Sequence, residues 1–174
     1  MKEISRTEIS KLEFCFMEKA WELTLSSNCK EAQYGVVIAK NNLILGNGYN
    51  HTINDLLNCD KCPRRSLDVK SGVASDLCYA LHGEVDAIKN AKKYHPDISL
   101  YKSKMYIGKR KDNEIKATGG KPYCTNCAKE IRLAGIEEVI FYSKNKGFLV
   151  FGSFEFLYSS YKNLIDAYEK QLKL

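Results

Sequence analysis

The 174-residue chain has little proline, with three residues, a single tryptophan, and no stretch approaching eighteen consecutive apolar residues. The last absence excludes a membrane-spanning helix. The composition excludes collagen-like, disordered and low-complexity classes. The opening MKEISRTEISKLEFCFMEKAWEL breaks its apolar residues with charges every few positions. It therefore lacks the uninterrupted core of a secretory signal, and a cytoplasmic location is expected. No repeat and no Gly/Ser- or Pro-rich linker divides the chain. The expectation is one domain over residues 1–174, with a motif-bearing core over 10–145 and a C-terminal helix over 154–173. Hydrophobic residues make up 44% and charged residues 28%, which suits a soluble protein with a real core. Lys and Arg number 27 against 21 Asp and Glu, a net charge of +6. That bias favours an anionic ligand, although solubility alone also accounts for it. Seven cysteines, an odd count in a reducing compartment, direct attention to metal or nucleophile chemistry rather than to a disulfide framework.

Helical periodicity runs through residues 6–26, with Ile9, Leu12, Phe16, Ala20 and Leu23 on one side. Tyr34–Ala39 and Leu43–Leu45 flank Asn41-Asn42, which fits a β-hairpin. Residues 47–75 are polar and irregular, and a loop of that length is usually functional or metal-braced. Periodicity returns over 80–94, with Leu81, Val85, Ile88 and Ala91 on one face. A strand is expected over 104–109, then a Lys/Asp/Gly-rich excursion to Gly120. A helix over 124–133, stopped at Gly135, precedes a strand over 139–142. Alternating strands and helices indicate an α/β layered sheet.

Two motifs carry the chemistry. His82-Gly83-Glu84 opens one expected helix, and Pro122-Tyr123-Cys124-Thr125-Asn126-Cys127 opens another. Cys124 and Cys127, at i and i+3, lie on one helical face, so both sulfurs can reach one ion. A helix N-terminus favours their thiolate form. His82 supplies a third donor, leaving the fourth tetrahedral position of zinc for a water with a pKa near 7. Glu84 points away from the His82 direction, so it stands beside the metal as a proton shuttle rather than on it. The competing readings are a histidine with two core cysteines, or a closed structural zinc site. His-x-Glu followed by Pro-Cys-x-x-Cys is the signature of zinc nucleobase deaminases.

On these motifs the sequence resembles the cytidine/deoxycytidylate deaminase superfamily, in its deoxycytidylate branch. The resemblance runs from an N-terminal helix through Cys29–Ile38 and Gly46-Asn47-Gly48-Tyr49-Asn50. It continues through His82–Ile88 and Pro122–Ile131 to Ala134-Gly135-Ile136. It implies a three-layer α-β-α fold around a central mixed sheet, and zinc-dependent conversion of a cytosine nucleotide, dCMP to dUMP, with release of ammonia. Asn50 matches a position that resembles a sugar-hydroxyl ligand. The chain departs from the usual pattern with Gly83 in place of Ala, Asp86 in place of Asn and His51 in place of Gly. Its segment before Pro122 is also longer and more basic. Asp86 is expected to bring a carboxylate near the nucleotide pocket.

A second C-x-x-C, Cys59-Asp60-Lys61-Cys62, precedes Cys78. Some members of the resembled branch carry a second, structural zinc, which implies a site of Cys59, Cys62 and Cys78 with Cys29 or His51 as fourth ligand. The alternative is reduced loop cysteines without metal. Cys15 is expected in the core, and Lys109-Arg110-Lys111 at a solvated hairpin tip with a phosphate clamp as the alternative. The aromatics of the last helix are expected in core or subunit contacts, with stacking on a base as the alternative. The partner is expected to be a small-molecule nucleotide, with the chain self-associating. A base in nucleic acid, or another amino-substituted ring, is the rival substrate. A non-catalytic, zinc-braced binding module is the rival outside enzymes.

Overall fold

A computed structural model describes residues 1–5, 8–52, 59, 62–69, 73–118, 121–122 and 124–172. Along the chain these form β1 (Lys2–Ile4), α1 (Lys11–Leu23), β2 (Gln33–Lys40), β3 (Leu43–Tyr49) and β4 (His51–Thr52). A short α2 (Pro63–Ser66), β5 (Ala80–Leu81), α3 (Gly83–Tyr94), β6 (Lys104–Lys111) and β7 (Glu114–Ile115) follow. The chain continues through α4 (Thr125–Leu133), β8 (Glu138–Ser143), β9 (Gly147–Gly152) and α5 (Ser153–Leu172). The intervening motif positions Asp60, Lys61 and Tyr123, and the expected helix end at Lys173, lie outside the described residues.

The main sheet has the order β1-β9-β8-β6-β2-β3, with β7 also paired to β6. It is mixed: β6 and β8 run parallel, and every other pair is antiparallel. Parallel neighbours need a crossover, which α4 supplies.

Strand alternation sorts the apolar side chains into two cores. Val36 and Ile38 of β2, Met105 and Ile107 of β6, Val139 and Phe141 of β8, and Leu149 and Phe151 of β9 face one way. There they meet Ala87, Ile88 and Ala91 of α3, Ala128 and Ile131 of α4, and Phe156 of α5. The intervening Val37, Ala39, Tyr106, Ile140, Phe148 and Val150 face the other way, onto Phe16, Met17, Ala20 and Trp21 of α1. The result is the expected three-layer arrangement, one helix against three across the sheet.

Local chemistry sets the boundaries. α1 starts at Lys11 because Ser10 caps it: the Glu13 amide donates to Ser10 Oγ at 3.2 Å and the Ser10 amide to Glu13 Oε2 at 3.4 Å. Such a capping box stabilises a helix by about 1 kcal/mol. Cys15 is exposed rather than in the core, because the buried stripe passes through Phe16, Met17, Ala20 and Trp21. Asn41 and Asn42 both adopt left-handed backbone, at φ 49° and 67°, and turn the β2–β3 hairpin. Asp112 and Asn113 do the same between β6 and β7. Lys109-Arg110-Lys111 therefore belongs to the end of strand β6, with Lys111 in the last pair before the turn, and does not form the hairpin tip itself.

Gly46 and Gly48 on β3 let α3 settle onto the sheet. A Cβ on Gly48 would stand 2.3 Å from the Ala87 amide nitrogen and 2.4 Å from the Gly83 carbonyl oxygen. That close approach fixes the start of α3, where the first motif sits.

Candidate metal centre

The two helix N-termini carry the motifs. The β4–β5 ladder, pairing His51 with Leu81 and Thr52 with Ala80, delivers the chain to His82, the N-cap of α3. Cys124 is the N-cap of α4, and its sulfur accepts the Cys127 amide at 3.2 Å. A sulfur receiving a backbone N–H at a helix start is held in an environment that favours negative charge.

The helices meet at these ends. His82 Nδ1 lies 3.0 Å from Cys127 Sγ. The donor atoms of His82, Cys124 and Cys127 all fall within 4.8 Å of one another. Cys127 is buried, while His82 and Cys124 are half-buried. The structure pairs the Cys124 and Cys127 sulfurs with each other, their Cα atoms 5.3 Å apart. The expected dithiolate is the reduced form of this pair, and it is the form a metal takes. One imidazole and two thiolates are a donor set that zinc accepts, with a fourth tetrahedral position left over. Pro122 stands two residues before Cys124, so the motif here is Pro-x-Cys-x-x-Cys. The Pro122 carbonyl accepts Asn163 Nδ2 at 2.7 Å, tying the approach to α4 onto α5.

His82, Glu84 and Cys124 line a cavity of about 380 Å³, a size within the roughly 300–1,000 Å³ of small-molecule sites. Glu84 is half-buried at the second position of α3 and stays outside the metal-donor group. Tyr34 shares the cavity, and its phenol is pushed up to about 12 by burial, with Glu84 and the Cys29 thiol adding to the effect.

Asn50 also lines the cavity but is itself buried. Its Oδ1 accepts the Tyr34 amide at 2.6 Å and Ser27 Oγ at 2.8 Å, and its Nδ2 donates to the Ala32 carbonyl at 2.9 Å. Among the described residues one amide hydrogen is left over. Sequence reasoning places a phosphate clamp at Lys109 and Lys111 second to a solvated tip and misses Lys121, yet all three line this cavity. The signal was available: Met105, Ile107, Lys109 and Lys111 alternate on one strand face.

Three other expectations change. Asp86 turns away from the cavity: its carboxylate accepts the Tyr49 amide at 3.1 Å and Asn90 Nδ2 at 3.3 Å. His51 sits with Asp86, Nε2 to Oδ1 at 3.6 Å, and its Nδ1 meets the Thr52 carbonyl oxygen at 3.1 Å. Both ring nitrogens of His51 are thus engaged away from the cysteines. Gly83 compensates for a neighbour: a Cβ there would meet Val36 Cγ2 at 3.0 Å.

Cys29, Cys59, Cys62 and Cys78 all line the same cavity. Burial and the nearby Cys29, Cys78 and Cys62 thiols push Cys59 up to about 11. Cys78 hydrogen-bonds the His82 ring, which lowers the thiol pKa against burial and raises that of the imidazole. Among the described residues these four sulfurs do not close into a metal-donor group as His82, Cys124 and Cys127 do.

An α/β sheet that brings an imidazole and two sulfurs to one point from two helix starts is a zinc-site architecture. The chain belongs to the cytidine and deoxycytidylate deaminase family: the model of its zinc-binding region matches residues 11–143. Zinc is accordingly the metal of the site.

The chain is 29% identical over 130 residues to deoxycytidylate deaminase of Schizosaccharomyces pombe, covering 74% of this chain and 36% of that protein. It thus spans about a third of the length of that relative. It is 27% identical over 120 residues to deoxycytidylate deaminase of Mycobacterium phage D29, covering 66% of this chain and 81% of that protein. The dCMP deaminase of cyanophage S-TIM5, solved with dCMP and dUMP, shares the fold at a TM-score of 0.52 and 24% identity, covering 75% of this chain and 80% of its own. Among the described residues no helix is long and apolar enough to cross a membrane.

Proposed function

We propose that the chain is a zinc-dependent hydrolase that converts dCMP and water to dUMP and ammonia. The observation that carries this reading is Glu84, a half-buried carboxylate in the same cavity as His82 and Cys124 but outside the metal-donor group. When bound, zinc supplies the acidity that makes water nucleophilic near neutral pH. His82, Cys124 and Cys127 hold the metal. Glu84 would accept one proton of the attacking water and deliver it to the ring nitrogen. It would then take the remaining proton from the oxygen added at C4 and pass it to the amine, which leaves as ammonia as the C4 carbonyl forms. The spare amide hydrogen of Asn50 is available to a sugar hydroxyl. A cytoplasmic setting belongs to this reading, because the metal needs both α4 cysteines as thiolates.

Ammonia release from dCMP, CMP, deoxycytidine, cytosine and a cytosine-containing oligonucleotide tests the reading. Turnover of dCMP above the others is expected. Preference for the oligonucleotide would replace the substrate, and release from none would leave a zinc-braced binding module.

A structural metal on Cys29, Cys59, Cys62 and Cys78 is part of the proposal, supported by their common cavity. Elemental analysis of the same preparation is expected to find two zinc ions per chain, and a count of one would remove the second site.

Self-association is also proposed, through α5. Phe156 and Ser160 face the core, while Phe154, Tyr158, Tyr161, Ile165 and Tyr168 on the opposite side are 40–70% exposed. Their alternating spacing of four and three is that of a helix–helix seam, which suits a second copy of the same helix. At about 200 Å² per aromatic side chain, the exposed parts amount to on the order of 500 Å² per copy. A standard interface takes roughly 800 Å² from each partner, so the stripe supplies most of one. Light scattering should give a dimer or larger for the native chain and a monomer for Ile165→Asp. A monomeric native chain would refute the pairing.

A further inference from the structure

The end of β6 carries cations where its alternation points into the cavity. Met105 and Ile107 join the core beneath α3 and α4, and Lys109 and Lys111 continue the same strand face. Arg110, between them, points the other way, its Nε donating to Thr24 Oγ1 at 3.0 Å beside α1. Lys109 and Lys111 are half-buried, and both line the cavity that holds Glu84. Lys121, six residues beyond β7 and exposed, lines it as well.

None of the three lysines forms an ion pair with a described residue. Glu114 pairs in register with Lys111 on the adjacent strand, but its carboxylate is taken by Lys116 at 2.5 Å. Among the described residues the Lys109 ammonium has only the face of the Tyr34 ring, 5.8 Å from Nζ to its centroid. Burial, and secondarily Lys111, pull the Lys109 ammonium below its ordinary pKa. Two like charges two residues apart on one strand face, partly desolvated and without a counter-ion, raise each other's free energy. An anion between them would relieve that cost. A phosphate monoester, with three acceptor oxygens, matches several ammonium donors at once.

We propose that Lys109 and Lys111, assisted by Lys121, bind the 5′-phosphate of the nucleotide whose base lies against Glu84. The proposal deepens the reading of the site as a cytosine nucleotide deaminase and rests on it. The lysines then decide between a nucleotide and the corresponding nucleoside; Lys109 and Lys111 close β6, and Lys121 lies in the segment between β7 and α4.

The test compares the native chain with Lys109→Gln, Lys111→Gln and the double variant, each checked for an unchanged melting temperature. The quantity read is the ratio of kcat/KM for dCMP to that for deoxycytidine. Each single variant is expected to lower the ratio about tenfold, the double variant more, with the change chiefly in KM for dCMP. Lys109→Arg should restore most of the ratio, since it keeps the charge. An unchanged ratio in the double variant would overturn the assignment. So would a larger loss on the oligonucleotide than on dCMP, which would make the lysines contacts for an internal phosphodiester.

Calorimetric titration with dUMP and with deoxyuridine reads the same preference without turnover. If the native chain deaminates neither substrate, the reaction assignment fails. The lysine assignment then stands if the native preference for dUMP is lost in the double variant, and falls if it is absent or kept.

Discussion

Glu84→Gln is expected to lower turnover by roughly a thousandfold, the range that proton transfer by a positioned side chain supplies. The amide keeps the size of the carboxylate and loses its ability to take and return a proton. Glu84 sits at the second position of α3, two residues after His82. No metal donor is removed, so the zinc content should match that of the native chain. The measurement is kcat alongside elemental analysis. A loss of zinc together with activity would make Glu84 a ligand, and a drop of less than about tenfold would take proton transfer away from it.

Gly48→Ala should give a large structural effect. The new Cβ would stand 2.3 Å from the Ala87 amide nitrogen and 2.4 Å from the Gly83 carbonyl oxygen, both backbone atoms of α3. Neither can rotate aside, so the helix must lift off β3. Overpacking of this kind costs about 3 kcal/mol, which for a chain of this length lowers Tm by roughly 10 °C. The first turn of α3 moves with it, separating His82 from Cys127 and weakening zinc binding. Thermal denaturation with and without zinc reads both effects. A melting temperature within about 2 °C of native would mean that helix and strand are not held as tightly as their separation implies.

Much of the architecture was legible because local signals agreed. Asn41-Asn42 tolerates left-handed backbone and sits between two apolar runs, so the β2–β3 hairpin followed from its turn chemistry. His82 and Cys124 were placed at helix starts, and the structure makes both N-caps. What escaped was set by tertiary surroundings. β9, the run Phe148-Leu149-Val150-Phe151, does not alternate because both of its faces are covered, so periodicity gave no strand signal there. Cys15 looked apolar-sided until Met17 and Trp21 took the inner face of α1. Lys109 and Lys111 read as a solvated tip, because the two-residue turn beyond them was not identified. The direction of Asp86 depends on the Tyr49 amide, 37 residues away in sequence, and no local pattern reports it.

The contact between Gly83 and Val36 links two positions that are far apart in the chain. The valine branch fills the volume an alanine methyl would otherwise occupy, so restoring alanine alone crowds the helix start, while trimming the valine alone opens a void. A descendant carrying the alanine triplet would be eased by a smaller side chain at position 36, although the Tyr49 Cα and the Asn50 amide nitrogen, at 3.3 and 3.4 Å, would still press on the new methyl. Paired replacement, with neither single change tolerated as well as both, is the mark this junction would leave on lineages that drift through it.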